Sequence, residues 1–87
     1  MHLDVQDAEV HSLLAAAHAG QDQPTKAIDE YEVAIRLDGH NADWCAALAR
    51  LQIRQGRKDD ARLVLSRLKE LAPTHSDLSE LEQSLQP

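Results

Sequence analysis

The sequence predicts an all-α fold of about five helices that pair antiparallel as αα-hairpins. Three observations predict it. Apolar side chains recur at i, i+3 or i+4 and i+7, the spacing of a helix face, and do not alternate as in a strand. The 87 residues include one Trp, one Tyr and no Phe, so the core must consist of small aliphatic side chains that suit close helix packing. The three glycines and three prolines fall mainly between the apolar series.

The helices follow in chain order from these series and from the residues that interrupt them. Their bounds read as residues 7–19, 24–37, 42–55, 58–71 and 75–85. The apolar series that define them are Val10, Leu14 and Ala17; Ala27, Tyr31 and Ala34; Trp44, Leu48 and Leu51; Ala61, Leu65 and Leu68; and Leu78, Leu81 and Leu85.

The residues at the predicted helix ends have side chains that suit those positions. Pro24 stands where a helix can start, and Asn41 can cap the third helix. Thr74 with Asp77 approximates a capping box for the fifth helix. A positive φ just past a helix is predicted for Gly20, Gly39 and Gly56.

A period of 34 residues runs through the chain. Similar stretches begin at Leu3, Leu37 and Leu71, two equal steps of 34 residues. Residues 8–41 and 42–75, when aligned, are identical at Ala8/Ala42, Leu14/Leu48, Ala15/Ala49, Gln21/Gln55, Ala27/Ala61 and Leu37/Leu71. A fixed period of this length is typical of solenoids built from helix pairs.

The residue types in this period resemble the tetratricopeptide repeat. That family has a large then a small residue in the first helix, and an alanine, a large and a small residue in the second, before a turn proline. The matching residues are Leu14, Ala15, Ala27, Tyr31, Ala34 and Gly39, then Leu48, Ala49, Ala61, Leu65, Leu68 and Pro73. The small residues are expected where the two helices cross most closely. Gly39 in place of proline, and His11 and Cys45 in place of the usual Trp, are departures.

The resemblance implies repeats at residues 8–41 and 42–75 and a capping helix at 76–87 that covers the last apolar face. Residues 1–7 are then expected to be the joint from an upstream repeat or domain, which would make the chain the C-terminal part of a longer protein. The alternative is that Leu3 and Asp4 match the period by chance at a frayed N-terminus.

The resemblance also implies a concave groove lined by the first helix of each pair. The candidate groove residues are Glu9, Ser12, Ala16, Ala19, Asp43, Ala46, Arg50, Ile53, Arg54, Asp77, Glu80 and Ser84. Arg50 and Arg54, one helical turn apart, could grip an acidic side chain or the C-terminal carboxylate of an extended or helical peptide. Alternatively, the two arginines pair with Asp43 or a neighbouring acid of the same chain.

Several classes of site are argued against. A net charge of −6 disfavours general binding to nucleic acid. No apolar run reaches the roughly 18 residues of a membrane span, and no signal-peptide pattern follows Met1, so localisation stays unassigned, with the cytoplasm as default. His11 and His18 lie about 10.5 Å apart along one helix, too far to share a metal ion. No catalytic, cofactor or metal site is predicted, and His11 and Cys45 are expected to pack between helices.

The sequence therefore predicts a non-catalytic module that binds a protein or peptide partner in the groove. Two other hypotheses stay open. The chain could be a docking or regulatory appendage of a larger enzyme such as a peptidase. It could also associate weakly with itself, through a bare apolar face of the first helix or through its acidic first half and basic second half. Trp44 could belong to the core or to a contact surface.

Overall fold

The computed structural model describes residues 5–85, and within that range it contains five α-helices and no strand. The helices are α1 (Val5–Gly20), α2 (Pro24–Leu37), α3 (Ala42–Arg54), α4 (Lys58–Leu71) and α5 (Leu78–Ser84). The all-α prediction is confirmed, and the bounds of α2, α3 and α4 agree with it to within one residue. Residues 1–4 of the expected joint lie outside the described residues, and residues 5–7 are helical instead.

The helices form two hairpins and a terminal helix. α1 packs against α2, and α3 packs against α4, as antiparallel pairs. α2 also packs against α3, which joins the two hairpins, and α5 packs against both α3 and α4. α3 is therefore in contact with helices on several sides.

Two buried clusters hold the hairpins together. The first lies between α2 and α3 and contains Ala27, Ile28, Leu48 and Leu51. The second lies among α3, α4 and α5 and contains Cys45, Ala46, Ala49, Ala61, Leu65, Leu68, Leu78, Leu81 and Leu85. The alanines at the predicted helix crossings, Ala15 with Ala27 and Ala49 with Ala61, are all completely buried. Small side chains at these positions let the paired helices approach closely, as the repeat pattern predicts.

The glycine predictions are correct at one position out of three. Gly56 has a φ of 77° and ends α3 as expected. Gly20 is still helical, and Asp22, with a φ of 59°, adopts the left-handed conformation two residues later. Gly39 is not in that conformation either. A Cβ at Gly39 would collide with the guanidinium of Arg67, whose Nη2 donates to the Gly39 carbonyl at 3.4 Å. Because that guanidinium is the end of a flexible, exposed side chain and can move aside, neither positive φ nor close packing makes glycine necessary at position 39.

The helix N-termini confirm one predicted cap and contradict another. The Asn41 side chain accepts a hydrogen bond from the Trp44 backbone N–H at 3.2 Å and caps α3. The predicted capping box is wrong: α5 begins at Leu78, and Asp77 makes no side-chain capping bond. The physical reason is local competition. The Asp77 backbone N–H donates to Nδ1 of His75 at 3.1 Å, so residues 73–77 form turns and not the first turn of a helix.

Candidate functional site

The candidate groove begins with the side of α1 that carries Glu9, Ser12, Ala16 and Ala19, which share a face at helical spacing. Glu9, Ala16 and Ala19 are exposed, and Ser12 is half-buried. The Ser12 hydroxyl donates to the Glu9 carbonyl at 2.7 Å and is therefore directed back along its own helix. This side of α1 therefore carries small side chains and a single charge, that of Glu9, near its N-terminal end.

The middle of the surface comes from α3. Arg54 is exposed, Ile53 is half-buried and Arg50 is half-exposed. Ala46, which was expected to line the groove, is only 2% exposed and belongs to the cluster that α5 covers. The prediction that Ala46 lines an accessible groove is wrong, because its side chain packs against other core residues and a partner could not reach it.

Arg50 pairs within the chain, as the alternative interpretation of the sequence allowed. Its Nη2 lies 3.6 Å from Oδ2 of Asp77 and 3.9 Å from Oε1 of Glu80, at the start of α5. Both distances are long for an ion pair and all three side chains are substantially exposed, so the net stabilisation is at most about 1 kcal/mol. The Arg54 side chain makes no hydrogen bond or ion pair with any residue that the structure describes.

His75 is a residue whose role the sequence did not predict. It is nearly buried, and its Nε2 lies 2.8 Å from Oδ1 of Asp43. Because its Nδ1 accepts the Asp77 N–H, the neutral ring carries its proton on Nε2 and donates it to Asp43. The available signal was register: His75 stands 34 residues after the cap Asn41. Asp43 and Asp77 are thus both engaged within the chain.

The accessible candidate groove residues are called the concave face, after the groove that the family resemblance predicts. It comprises Glu9, Ser12, Ala16, Ala19, Asp43, Arg50, Ile53, Arg54, Asp77, Glu80 and Ser84. Its acids lie mainly at one end of each helix, and its two arginines lie near the C-terminal half of α3. The face holds no nucleophile with an adjacent base, and its chemistry is that of charge recognition beside a small apolar floor.

The other candidate groups are explained by packing. His11 Nδ1 lies 2.7 Å from Oε1 of Glu30, between α1 and α2. Cys45 is completely buried, and burial raises the pKa of its thiol, with the nearby Arg67 acting in the opposite direction. A thiol with a raised pKa is a poor nucleophile. Trp44 is partly buried. Among the residues described, no group of three or more His, Cys, Asp or Glu side chains could hold a metal ion.

An open pocket of about 260 Å³ is lined by residues of α2, α3 and α4. It is lined by Glu32, Ile35, Cys45, Leu48, Leu63, Val64 and Arg67. Its walls are mainly apolar, with one carboxylate and one guanidinium, and the sequence did not predict it.

In the part of the chain that the structure describes, no helix is long and apolar enough to cross a membrane.

Comparison with known proteins gives a family. Residues 18–85 match the family model described as Tetratricopeptide repeat, which is more than half of the chain. The match contains α2, α3, α4 and α5 completely but only the last three residues of α1. No curated protein matches the sequence. Tetratricopeptide repeats generally mediate protein–protein interactions and are typically not catalytic.

Proposed function

The chain belongs to the tetratricopeptide repeat family, and on that premise we propose that it binds a segment of a partner protein on the concave face. The proposed repeats are residues 8–41 and 42–75, with residues 76–87 as the helix that covers the second. Residues 86–87 of that last segment lie outside the described residues. The mechanism is presentation of a preformed surface, which needs no cofactor.

The observation that supports this proposal is that the two arginines of α3 are accessible and have weak ion-pair partners or none. Arg54 is exposed and has no ion-pair partner among the described residues, and Arg50 lies one turn before it on the same helix. The two partners of Arg50 stand at 3.6 and 3.9 Å, so an incoming carboxylate at a shorter distance can replace them. Guanidinium groups bind carboxylates in a bidentate geometry that also orients the ligand.

The surroundings indicate which segment fits. Ala16, Ala19 and Ile53 provide a small apolar floor that an extended or helical backbone can approach closely. Glu9 would repel an acidic group placed over the start of α1. The proposed ligand is therefore a peptide or helix with apolar residues on the floor and an acidic side chain or C-terminal carboxylate at Arg54.

The test is peptide binding followed by charge reversal. Peptides selected for binding from a library of acidic C-terminal sequences would be compared with their C-terminal amides by fluorescence polarisation. Arg54→Glu is expected to weaken binding by at least about tenfold, because it places like charges in contact. Arg36→Glu is the matched control, since Arg36 is an exposed arginine at the end of α2 and the charge change is identical.

Circular dichroism must first show that both variants stay helical. Their peptide affinities then show whether the ligand binds at the concave face. Loss of binding in Arg54→Glu with retention in Arg36→Glu supports the concave face. Equal binding by both variants contradicts the proposal and moves the ligand to Trp44 or to the pocket beside Leu63. Arg54 is preferred to Arg50 for this test, because a change at Arg50 also removes its ion pairs to α5.

A further inference from the structure

The outward side of α1 is apolar and uncovered. Val10 is 53% exposed, Leu13 69% and Leu14 43%, and Ala17 is exposed beside them. These four residues, at i, i+3, i+4 and i+7, share one side of the helix and are called the outer α1 face below. The opposite side of α1 carries Ala8 and Ala15, which are completely buried. α1 is therefore apolar on two sides, and one of them has no partner helix among the described residues.

The second hairpin shows what covers such a face. One period later, the positions of the outer α1 face are occupied by Trp44, Ala47, Leu48 and Leu51. Leu48 and Leu51 are 3% and 6% exposed, because they pack against Ala27 and Ile28 of α2. At equivalent positions of α3, then, the cover is an α-helix that presents aliphatic side chains. A helix is accordingly the occupant whose shape and chemistry fit the outer α1 face.

No helix within the described residues covers the outer α1 face, so its cover would be a helix of a preceding repeat or of a second copy of the chain. A second copy could cover the outer α1 face with its α5 only if α5 had an exposed apolar side. Leu78, Leu81 and Leu85 are instead 6%, 2% and 8% exposed and turn inward against α3 and α4. Head-to-tail stacking of copies is therefore disfavoured. What a second copy does offer is its own outer α1 face, which gives a closed two-fold arrangement.

We propose that two copies of the chain associate through their outer α1 faces, with the two α1 helices antiparallel. The four positions are symmetric about the point between residues 13 and 14, so a two-fold axis there places Leu13 opposite Leu14 of the second copy and Leu14 opposite Leu13 of the second copy. Val10 then lies opposite Ala17 of the second copy, a larger side chain against a smaller one. None of the four positions carries a charge, and antiparallel helices oppose their dipoles favourably.

The size of this face determines the strength of the association. Stable interfaces bury about 800 Å² on each partner, and a few side chains on one helix provide less than that. The dimer is therefore weak, with a Kd between about 10 μM and 1 mM, and its population depends on protein concentration. It leaves the concave face free, because Glu9, Ser12 and Ala16 lie on a different side of α1.

The test is sedimentation velocity of the full chain from about 10 μM to about 1 mM, a range that brackets the expected Kd. The wild-type sedimentation coefficient should rise with concentration. Leu13→Glu should weaken association by at least about tenfold, since it places two carboxylates beside the two-fold axis. Leu63→Glu is the matched control: Leu63 is an equally exposed leucine, at 73%, on α4. Because both leucines are exposed, neither variant removes a core contact.

Cysteine cross-linking tests the geometry separately. Leu13→Cys should form a disulfide-linked dimer on mild oxidation and Leu63→Cys should not, with the buried Cys45 left in place in both. Three results would overturn the proposal: a wild-type chain that stays monomeric throughout the range, a Leu13→Glu variant that still dimerises, or equal cross-linking at positions 13 and 63. Arg54→Glu should dimerise like the wild type, which separates this proposal from the one for the concave face.

Discussion

The first helices of the two hairpins, α1 and α3, occupy equivalent positions in the period but have different surroundings. Leu14 and Leu48 are the same residue type at the same repeat position, yet Leu14 is 43% exposed and Leu48 3%. The difference lies in the neighbouring helices. α2 covers the side of α3 that carries Leu48, and no described helix covers the equivalent side of α1. In a solenoid, the sequence of one unit specifies surfaces whose burial depends on the unit beside it.

The largest expected effect comes from truncating these two leucines in turn. Leu48→Ala should lower the free energy of unfolding by about 2–5 kcal/mol, because it leaves a cavity between α2 and α3. Leu14→Ala should cost no more than about 1 kcal/mol, because much of that side chain is already in water. Urea denaturation followed by circular dichroism measures both. Equal losses would show that the two helices have similar surroundings in solution and would remove the basis of the comparison.

The next effect concerns Gln52 and its equivalent in α1, His18. His18 Nδ1 lies 3.0 Å from Oε1 of Gln23, so the polar group of the first hairpin has a partner. Gln52 is 2% exposed, and its Oε1 has no hydrogen-bond partner in the described part of the chain. Gln52→Met should therefore raise the free energy of unfolding by about 1 kcal/mol, since it removes a buried polar atom that lacks a partner.

Thermal denaturation of Gln52→Met and His18→Met tests this expectation. The first variant should have a higher Tm than the wild type, and the second should not, because it loses a hydrogen bond. If Gln52→Met lowers the Tm instead, the amide makes an interaction in solution that stabilises α3.

A smaller effect is expected at the joint between the hairpins. Asn41→Ala should cost about 1 kcal/mol, because the Trp44 N–H loses its acceptor, whereas Asn41→Asp should be nearly neutral. Chemical denaturation of the two variants distinguishes the lost cap from a general effect of the substitution. Similar losses for Ala and Asp would indicate that the capping bond contributes little.

The smallest effect is a pH dependence that arises at Cys45, the equivalent of His11. Burial raises the pKa of the Cys45 thiol, and burial also raises that of the Tyr31 phenol. For an acid with a raised pKa in the folded state, the unfolded state releases its proton first as the pH rises, so stability falls above the unfolded pKa. Stability should therefore decline slightly as the pH passes about 9, and Cys45→Ala should remove part of that decline. An identical slope in the variant would contradict a contribution from this thiol.

The sequence predicted most helix bounds because strong local signals set them. Pro24, Asn41 and Gly56 each perform the expected function: α2 begins at Pro24, Asn41 caps the start of α3, and Gly56 lies between the end of α3 and the start of α4. α5 was placed too early because Thr74 and Asp77 have the spacing of a capping box. The competing bond from the Asp77 N–H to His75 depends on the direction of an imidazole ring, which spacing does not reveal.

The candidate site was predicted less completely than the fold, for a related reason. Helical spacing places Arg50 and Arg54 one turn apart, and the structure agrees. Whether Arg50 faces a carboxylate, and whether Ala46 is accessible, depends on how closely α5 approaches α3. Likewise, the series that contains Val10 and Leu14 reveals an apolar side of α1 but not whether another helix covers it. Distances between helices result from packing of the whole chain, and no short pattern contains them.

The burial of the Leu81 and Leu85 side chains also has a consequence for protein engineering. Among the described residues, the apolar side of α5 is buried and that of α1 is exposed, so a further repeat would stack on α1 and not on α5. A designed repeat copied from residues 8–41 would fit in front of α1, where its second helix could cover Leu13 and Leu14. The same repeat fused behind α5 would meet exposed Glu82 and Gln83 and would find no apolar surface on which to stack.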